Sequence, residues 1–116
     1  MEQFIIYIDE TTLKLQQKEK ELIASDRKDE ANLIKIKINV CGICKTLYNV
    51  ASKQTSKDAL IEDYIKRLTK LSEEWKLSYE RAKEHDDIEK IVVEEAKLEV
   101  MEAVKNKFIK LCENNL

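Results

Sequence analysis

Two cysteines separated by two residues, Cys41 and Cys44, have the types and spacing in this chain that most directly suggest chemistry. A Cys-x-x-Cys pair at the start of a helix can hold a reactive thiolate and cycle between dithiol and disulfide. Here the pair lies inside an apolar stretch, next to Val40 and Ile43. A free cysteine in such surroundings packs as a small buried side chain. We therefore predict core packing, with a thiol redox pair as the alternative.

The pair is similar to the helical Cys-x-x-Cys of the AhpD-like all-helical peroxidases. That resemblance would imply a peroxidase in which an upstream glutamate and a downstream histidine move protons. The corresponding positions here hold Ile38 and Tyr48. The resemblance is therefore confined to the two cysteines and assigns no proton-handling residue.

A metal site would need ligands beyond the two cysteines. His85 and Cys112 would complete a formal set of three cysteines and one histidine with Cys41 and Cys44. The last two lack the paired spacing that marks zinc sites in sequences. His85 is the single histidine, and we expect it to interact with the last carbonyls of a helix. We predict no metal and no cofactor.

The charge pattern excludes several classes of partner. The chain has 21 basic and 23 acidic residues, a net charge of -2, and both signs interspersed throughout. No stretch forms a cationic face for nucleic acid. The N-terminal segment lacks the pattern of a signal peptide, and no segment is apolar enough to span a membrane. Three cysteines without an export signal favour reduced thiols. We expect a cytoplasmic protein.

Composition predicts the fold class. The 116 residues include one glycine and no proline, whereas 43% are hydrophobic and 38% are charged. Hairpins and barrels need turn residues that this chain lacks, and the mixture of charged and apolar residues is typical of amphipathic helices. We predict one all-α domain over residues 1–116.

Breaks in the apolar periodicity divide the chain into four helices. The first covers residues 2–24 and ends at Ser25 and Asp26, either of which could cap the next helix. The second reaches about residue 53, the third runs from a capping box at Thr55 to about residue 85, and the fourth covers residues 88–112. Short connections predict an antiparallel up-down bundle of four long helices. If Asp86 and Asp87 stayed helical, the alternative would be an elongated helical hairpin that dimerises. No sequence repeat of 20 to 50 residues is visible.

The second helix is apolar over much of its circumference. Its first apolar stripe is formed by Leu33, Ile36, Val40, Ile43, Leu47 and Val50. A second stripe beside it is formed by Ile34, Ile38, Cys41, Cys44 and Tyr48. Such a helix needs neighbours on more than one side. Gly42 costs about 1 kcal/mol relative to alanine within a helix, and close approach of another helix would explain it.

Trp75 and Tyr79 are the candidate anchors for a partner, because aromatic residues dominate interfaces. Trp75 belongs to a regular apolar seam of the third helix, which favours the core. Tyr79 lies beside that seam and is the better candidate.

Together these features predict a non-catalytic protein–protein interaction or regulatory module that binds a second copy of itself or another protein. The alternative function is a thiol redox protein that uses Cys41 and Cys44.

Overall fold

The computed structural model describes residues 2–114. Four helices make up nearly all of this part of the chain: α1 (Glu2–Ala24), α2 (Lys28–Ala51), α3 (Lys57–Glu84) and α4 (Ile88–Asn114). No strand occurs among the described residues. The helices pack as an antiparallel four-helix bundle, which confirms the predicted fold class. The elongated hairpin is wrong, because the chain turns at Asp86, where φ is 51°.

The two hairpin turns have the same backbone geometry. Asp26 and Asp86 adopt left-handed φ values of 59° and 51°. In each turn the following residue closes the helix end, since Arg27 N donates to Leu22 O at 2.8 Å and Asp87 N donates to Ala82 O at 2.9 Å. This bond pattern is that of a Schellman motif. Each turn therefore reverses the chain without a glycine.

Two of the predicted helix caps are wrong. Asp26 terminates α1, and the N-cap of α2 is Arg27, without a side-chain bond. The N-cap of α3 is Ser56, whose Oγ accepts a hydrogen bond from Ala59 N at 3.1 Å, in place of Thr55. At the start of α4, Asp87 Oδ1 accepts a hydrogen bond from Lys90 N at 3.2 Å, as an N-cap residue does.

Four aromatic rings join the two hairpins at the end away from these turns. They belong to Phe4, Tyr48, Tyr64 and Phe108, one from each helix. Every pair of these rings is in contact, with centroids 4.8–6.3 Å apart. Edge-to-face contacts of this kind add stability beyond the area that they bury. The cluster thus joins the α1–α2 and α3–α4 hairpins through one ring from each helix.

The two hairpins are structural equivalents, related by an offset of sixty residues. The equivalence covers both turns and the main buried positions. These buried pairs are Phe4 and Tyr64, Ile8 and Leu68, Val40 and Val100, Cys41 and Met101, Cys44 and Val104, and Tyr48 and Phe108. Most paired residues differ in type, so the repeat is one of burial pattern. α2 and α4 each pack against the other three helices. The backbones of α1 and α3 are farther apart, and these two helices meet through side chains such as the rings of Phe4 and Tyr64.

The second apolar stripe of α2 forms its buried side. The residues of α2 that the bundle buries are Ala31, Ile34, Val40, Cys41, Cys44, Tyr48 and Ala51. In the first stripe only Val40 is buried, and Ile43 and Val50 are 39% and 36% exposed. The other helices of this chain therefore bury the second stripe of α2 and leave much of the first stripe exposed to solvent.

Candidate partner-binding surface

Cys41 and Cys44 lie in the main core. Neither side chain is exposed, and both are free thiols. Burial raises the pKa of Cys41, and it raises the pKa of Cys44 to about 12. The buried hydroxyl of Tyr64 donates to the carbonyl oxygen of Cys44 at 2.8 Å, which ties α3 to this turn of α2. Because the thiolate is the reactive form, these surroundings keep both side chains protonated at neutral pH and favour packing over redox chemistry.

The remaining residues of the possible metal set lie in different parts of the bundle. His85 follows α3 at the second hairpin turn. Cys112 is half-buried near the end of α4 and packs against the core cluster that contains Cys41 and Cys44. Within residues 2–114, no group of three or more histidine, cysteine, aspartate or glutamate side chains is placed to hold a metal ion.

Trp75 points into the bundle. It is 9% exposed and belongs to the main core cluster. The ammonium of Lys97 lies 4.7 Å from the centroid of its ring and 3.0 Å from Oε1 of Glu94. Glu94 is only 4% exposed, so the lysine neutralises a buried carboxylate whose other oxygen has no hydrogen-bond partner. In this arrangement the indole contributes to packing between α3 and α4.

Tyr79 is half-buried at the surface of the α3–α4 hairpin. Its hydroxyl donates to Oε1 of Glu95 at 3.1 Å, and this bond raises the pKa of Tyr79. Lys83 lies over the ring, 5.0 Å from its centroid. Both α3 and α4 therefore hold this side chain, and charged groups surround it.

An uncharged surface runs along the solvent side of α2. We name it the α2 outer face, formed by Ile36, Asn39, Gly42, Ile43, Thr46, Asn49 and Val50. None of these residues is charged. The two lysines within the same interval bind other helices, because Lys37 pairs with Glu99 at 3.0 Å and Lys45 pairs with Asp9 at 2.8 Å. Uncharged side chains are thus left facing solvent over fifteen consecutive residues, about 21 Å of helix.

The solvent-facing surfaces of α3 and α4 carry charged residues. Every exposed residue of α3 except Leu77 is charged. On α4, the positions equivalent to Asn39, Gly42 and Val50 carry Glu99, Glu102 and Lys110. The structural repeat thus provides an internal comparison. The lack of charge therefore distinguishes the α2 outer face from the equivalent face of α4 and is not a requirement of the fold.

The α2 outer face has the spacing of a helix-pairing seam. Ile36, Ile43 and Val50 recur every seven residues, with Asn39 and Thr46 between them, which is the a/d pattern of a coiled coil. The expectation that a neighbouring helix explains Gly42 is wrong within this chain. A Cβ atom placed on Gly42 would meet nothing within 4 Å. No other part of the bundle therefore packs into the space left by the missing Cβ of Gly42.

An open groove with an apolar lining and an edge formed by Asp29, Asn32 and Glu89 adjoins this face near the hairpin turns. It has a volume of about 530 Å³ and lies between the first halves of α2 and α4. Its apolar lining consists of Leu33, Ile36, Ile88, Val92 and Val93. Ile88 is 73% exposed. Because Ile36 belongs to both surfaces, the groove extends the α2 outer face toward the turn end of the molecule.

Sequence reasoning found the apolar residues of this surface but did not predict that they face solvent. The signal that could have identified them is the absence of charge at Asn39, Gly42, Thr46 and Asn49. In a chain with 38% charged residues, an exposed helical face is expected to be mostly charged.

Comparisons of the chain with protein-family models, with curated proteins and with solved structures gave no match. In the described part of the chain, no helix has the length and hydropathy needed to cross a membrane.

Proposed function

We propose that this protein is a non-catalytic, cytoplasmic protein–protein interaction module and that the α2 outer face is its docking surface. The observation that carries the proposal is the exposed, uncharged a/d seam from Ile36 to Val50. Apolar patches that stay exposed on a folded domain are typical of binding surfaces. The adjoining groove, with Ile88 at its edge, enlarges the apolar area offered to a partner.

The thiol redox alternative has weaker support. A redox pair needs a thiolate that a substrate can reach. Cys41 and Cys44 are fully buried, and burial raises the pKa of both. Their role in the proposal is to fill the space between α2 and its neighbours.

Site-specific photo-crosslinking in the cells that produce the protein tests the proposed docking surface. A photoreactive phenylalanine analogue replaces Ile43 at the centre of the face. The matched control carries the analogue at Ala103, the structurally equivalent exposed position on α4. We expect a discrete protein adduct from position 43 at several times the yield from position 103. Equal yields at both positions, or no adduct at position 43, would contradict the proposal.

A further inference from the structure

We infer that the partner of the α2 outer face is a second copy of this chain, with the two α2 helices packed parallel and in register. The inference rests on the proposed function, since it names the occupant of the same surface. It is carried by three properties of that surface: its charge, the order of its seam residues and the position of Gly42.

The charge of the α2 outer face suits a second copy. A charged partner would find no charged group to pair with among the seven residues of the face, since Lys37 and Lys45 beside it are already paired with Glu99 and Asp9. Two copies of most other exposed faces would bring like charges together, at a substantial cost in binding free energy. Two α2 outer faces bring none together, so an isologous contact carries no electrostatic penalty along the seam.

The order of polar and apolar residues selects the parallel orientation. In a parallel, in-register pair each layer matches identical residues, so Ile43 meets Ile43 and Asn39 meets Asn39. The two asparagine amides can then form hydrogen bonds with each other, as can the hydroxyls of Thr46. In an antiparallel pair, a positions face d positions. The amide of Asn39 would then be buried against an isoleucine, and an unsatisfied buried polar group is costly.

Gly42 lies beside the seam, at the position that flanks Ile43. Its missing Cβ lets a neighbouring backbone approach closely, and no helix of the same chain occupies the space within 4 Å of that position. Asn49, one heptad later on the same flank, is also uncharged. A second α2 helix would use the space that the bundle leaves empty.

The expected dimer is a reversible one. About 21 Å of one helix is a short contact for a stable complex, even with the adjoining groove. Sedimentation velocity over a wide range of protein concentration is therefore the primary measurement. We expect the sedimentation coefficient to rise from the monomer value to the dimer value as concentration increases.

The decisive pair of variants is Ile43→Glu and Ala103→Glu. The first places two carboxylates at the centre of the contact, and we expect it to raise the dissociation constant at least about a hundredfold. The second adds the same charge at the equivalent exposed position of α4 and should leave self-association unchanged. Circular dichroism checks that both variants fold. A wild-type protein that stays monomeric, or a variant Ile43→Glu that dimerises like the wild type, would overturn the inference.

Disulfide trapping tests the orientation. A disulfide forms only when the two Cα atoms lie within about 7 Å. In a Cys112→Ser background under oxidised glutathione, Val50→Cys should cross-link to its own copy, whereas the equivalent variant Lys110→Cys should not. An antiparallel pair would place the two copies of residue 50 at opposite ends of the contact. Equal trapping of the two variants would overturn the parallel register.

The outcomes separate this inference from the proposed function. If the wild type is monomeric and the analogue at position 43 traps a different protein, then the interaction module stands and self-pairing is wrong. If position 43 traps nothing above the control at position 103, the docking surface itself is wrong.

Discussion

Cys44 combines a buried thiol with a backbone carbonyl that binds another helix. Its carbonyl oxygen accepts a hydrogen bond from the hydroxyl of Tyr64 at 2.8 Å, and apolar neighbours surround its side chain. Burial and the nearby Cys41 raise its pKa to about 12. Cys112 is half-buried, and its pKa is raised as well. The three cysteines therefore differ mainly in access to solvent.

Thiol modification at pH 8 should follow that difference in access. We expect Ellman's reagent to modify Cys112 in the native protein, and Cys41 and Cys44 only when the protein unfolds. Stopped-flow absorbance in buffer and in denaturant measures both phases. The variant Cys112→Ser should lose the native phase alone. Rapid native modification of Cys41 or Cys44 would contradict the packing role and favour the redox alternative.

Alkaline pH should destabilise the fold through the ionisation of Cys44. The thiol of Cys44 has a pKa of about 12 in the folded state, against 9.0 as its ordinary value. The raised pKa means that the unfolded chain releases this proton first. The contribution of Cys44 to the free energy of unfolding is therefore fully present below pH 9. It decreases by about 1.4 kcal/mol per pH unit as pH rises from 9 toward 12.

The variant Cys44→Val isolates this contribution. Valine is the residue at the equivalent position of the second hairpin, Val104, so the substitution keeps an apolar side chain in the core. We expect a shallower loss of the free energy of unfolding between pH 9 and 11, measured by urea denaturation. Cys112→Ser is the control and should change the slope less. Parallel pH profiles for Cys44→Val and the wild type would contradict the assignment.

At the scale of elements, the hairpin turns use aspartate where glycine is usual. Asp26 and Asp86 have left-handed φ values, a region that costs most L-residues about 1–2 kcal/mol and that glycine enters freely. The two turns share the same closing bonds. Each turn therefore retains a small backbone strain that a glycine would remove.

We expect Asp26→Gly and Asp86→Gly each to raise the free energy of unfolding by up to about 1 kcal/mol. Thermal and urea unfolding measure the change. The control is Asp29→Gly in the first turn of α2, which should lower stability by about 1 kcal/mol because it removes a favourable acidic residue and adds a helix-weakening glycine. A loss of stability in both turn variants would show that the aspartates contribute interactions beyond the backbone geometry.

At the scale of the whole molecule, the repeat of two hairpins makes α2 and α4 equivalent in the core and different at the surface. Val40 and Val100 occupy matching buried positions, as do Tyr48 and Phe108. On the outside, Gly42 and Ile43 of α2 correspond to Glu102 and Ala103 of α4. The predicted self-association belongs to this scale. In that association α2 contacts a second molecule and α4 does not, which would explain why the two helices differ in their exposed residues.

The fold class and the number of helices could be predicted from the sequence. One glycine and no proline leave few ways to build a sheet, and the apolar periodicity of each segment is a local property. The breaks near Asp26 and Asp86 were also predicted, because they interrupt that periodicity. Caps were less predictable, because adjacent polar residues such as Thr55 and Ser56 can both accept the capping bond, and the structure places Ser56 in the extended conformation of an N-cap.

Only the tertiary structure decided which stripe of α2 is buried. Both stripes are apolar, so hydropathy alone could not choose. The buried one contributes Tyr48 to the aromatic junction and the small side chains of Cys41 and Cys44 to the contact with the other helices. Those neighbours come from distant parts of the sequence, as do the four rings themselves. The α2 outer face stays exposed because the other stripe of α2 is buried. A helix that is apolar on two sides can bury only one of them within this bundle.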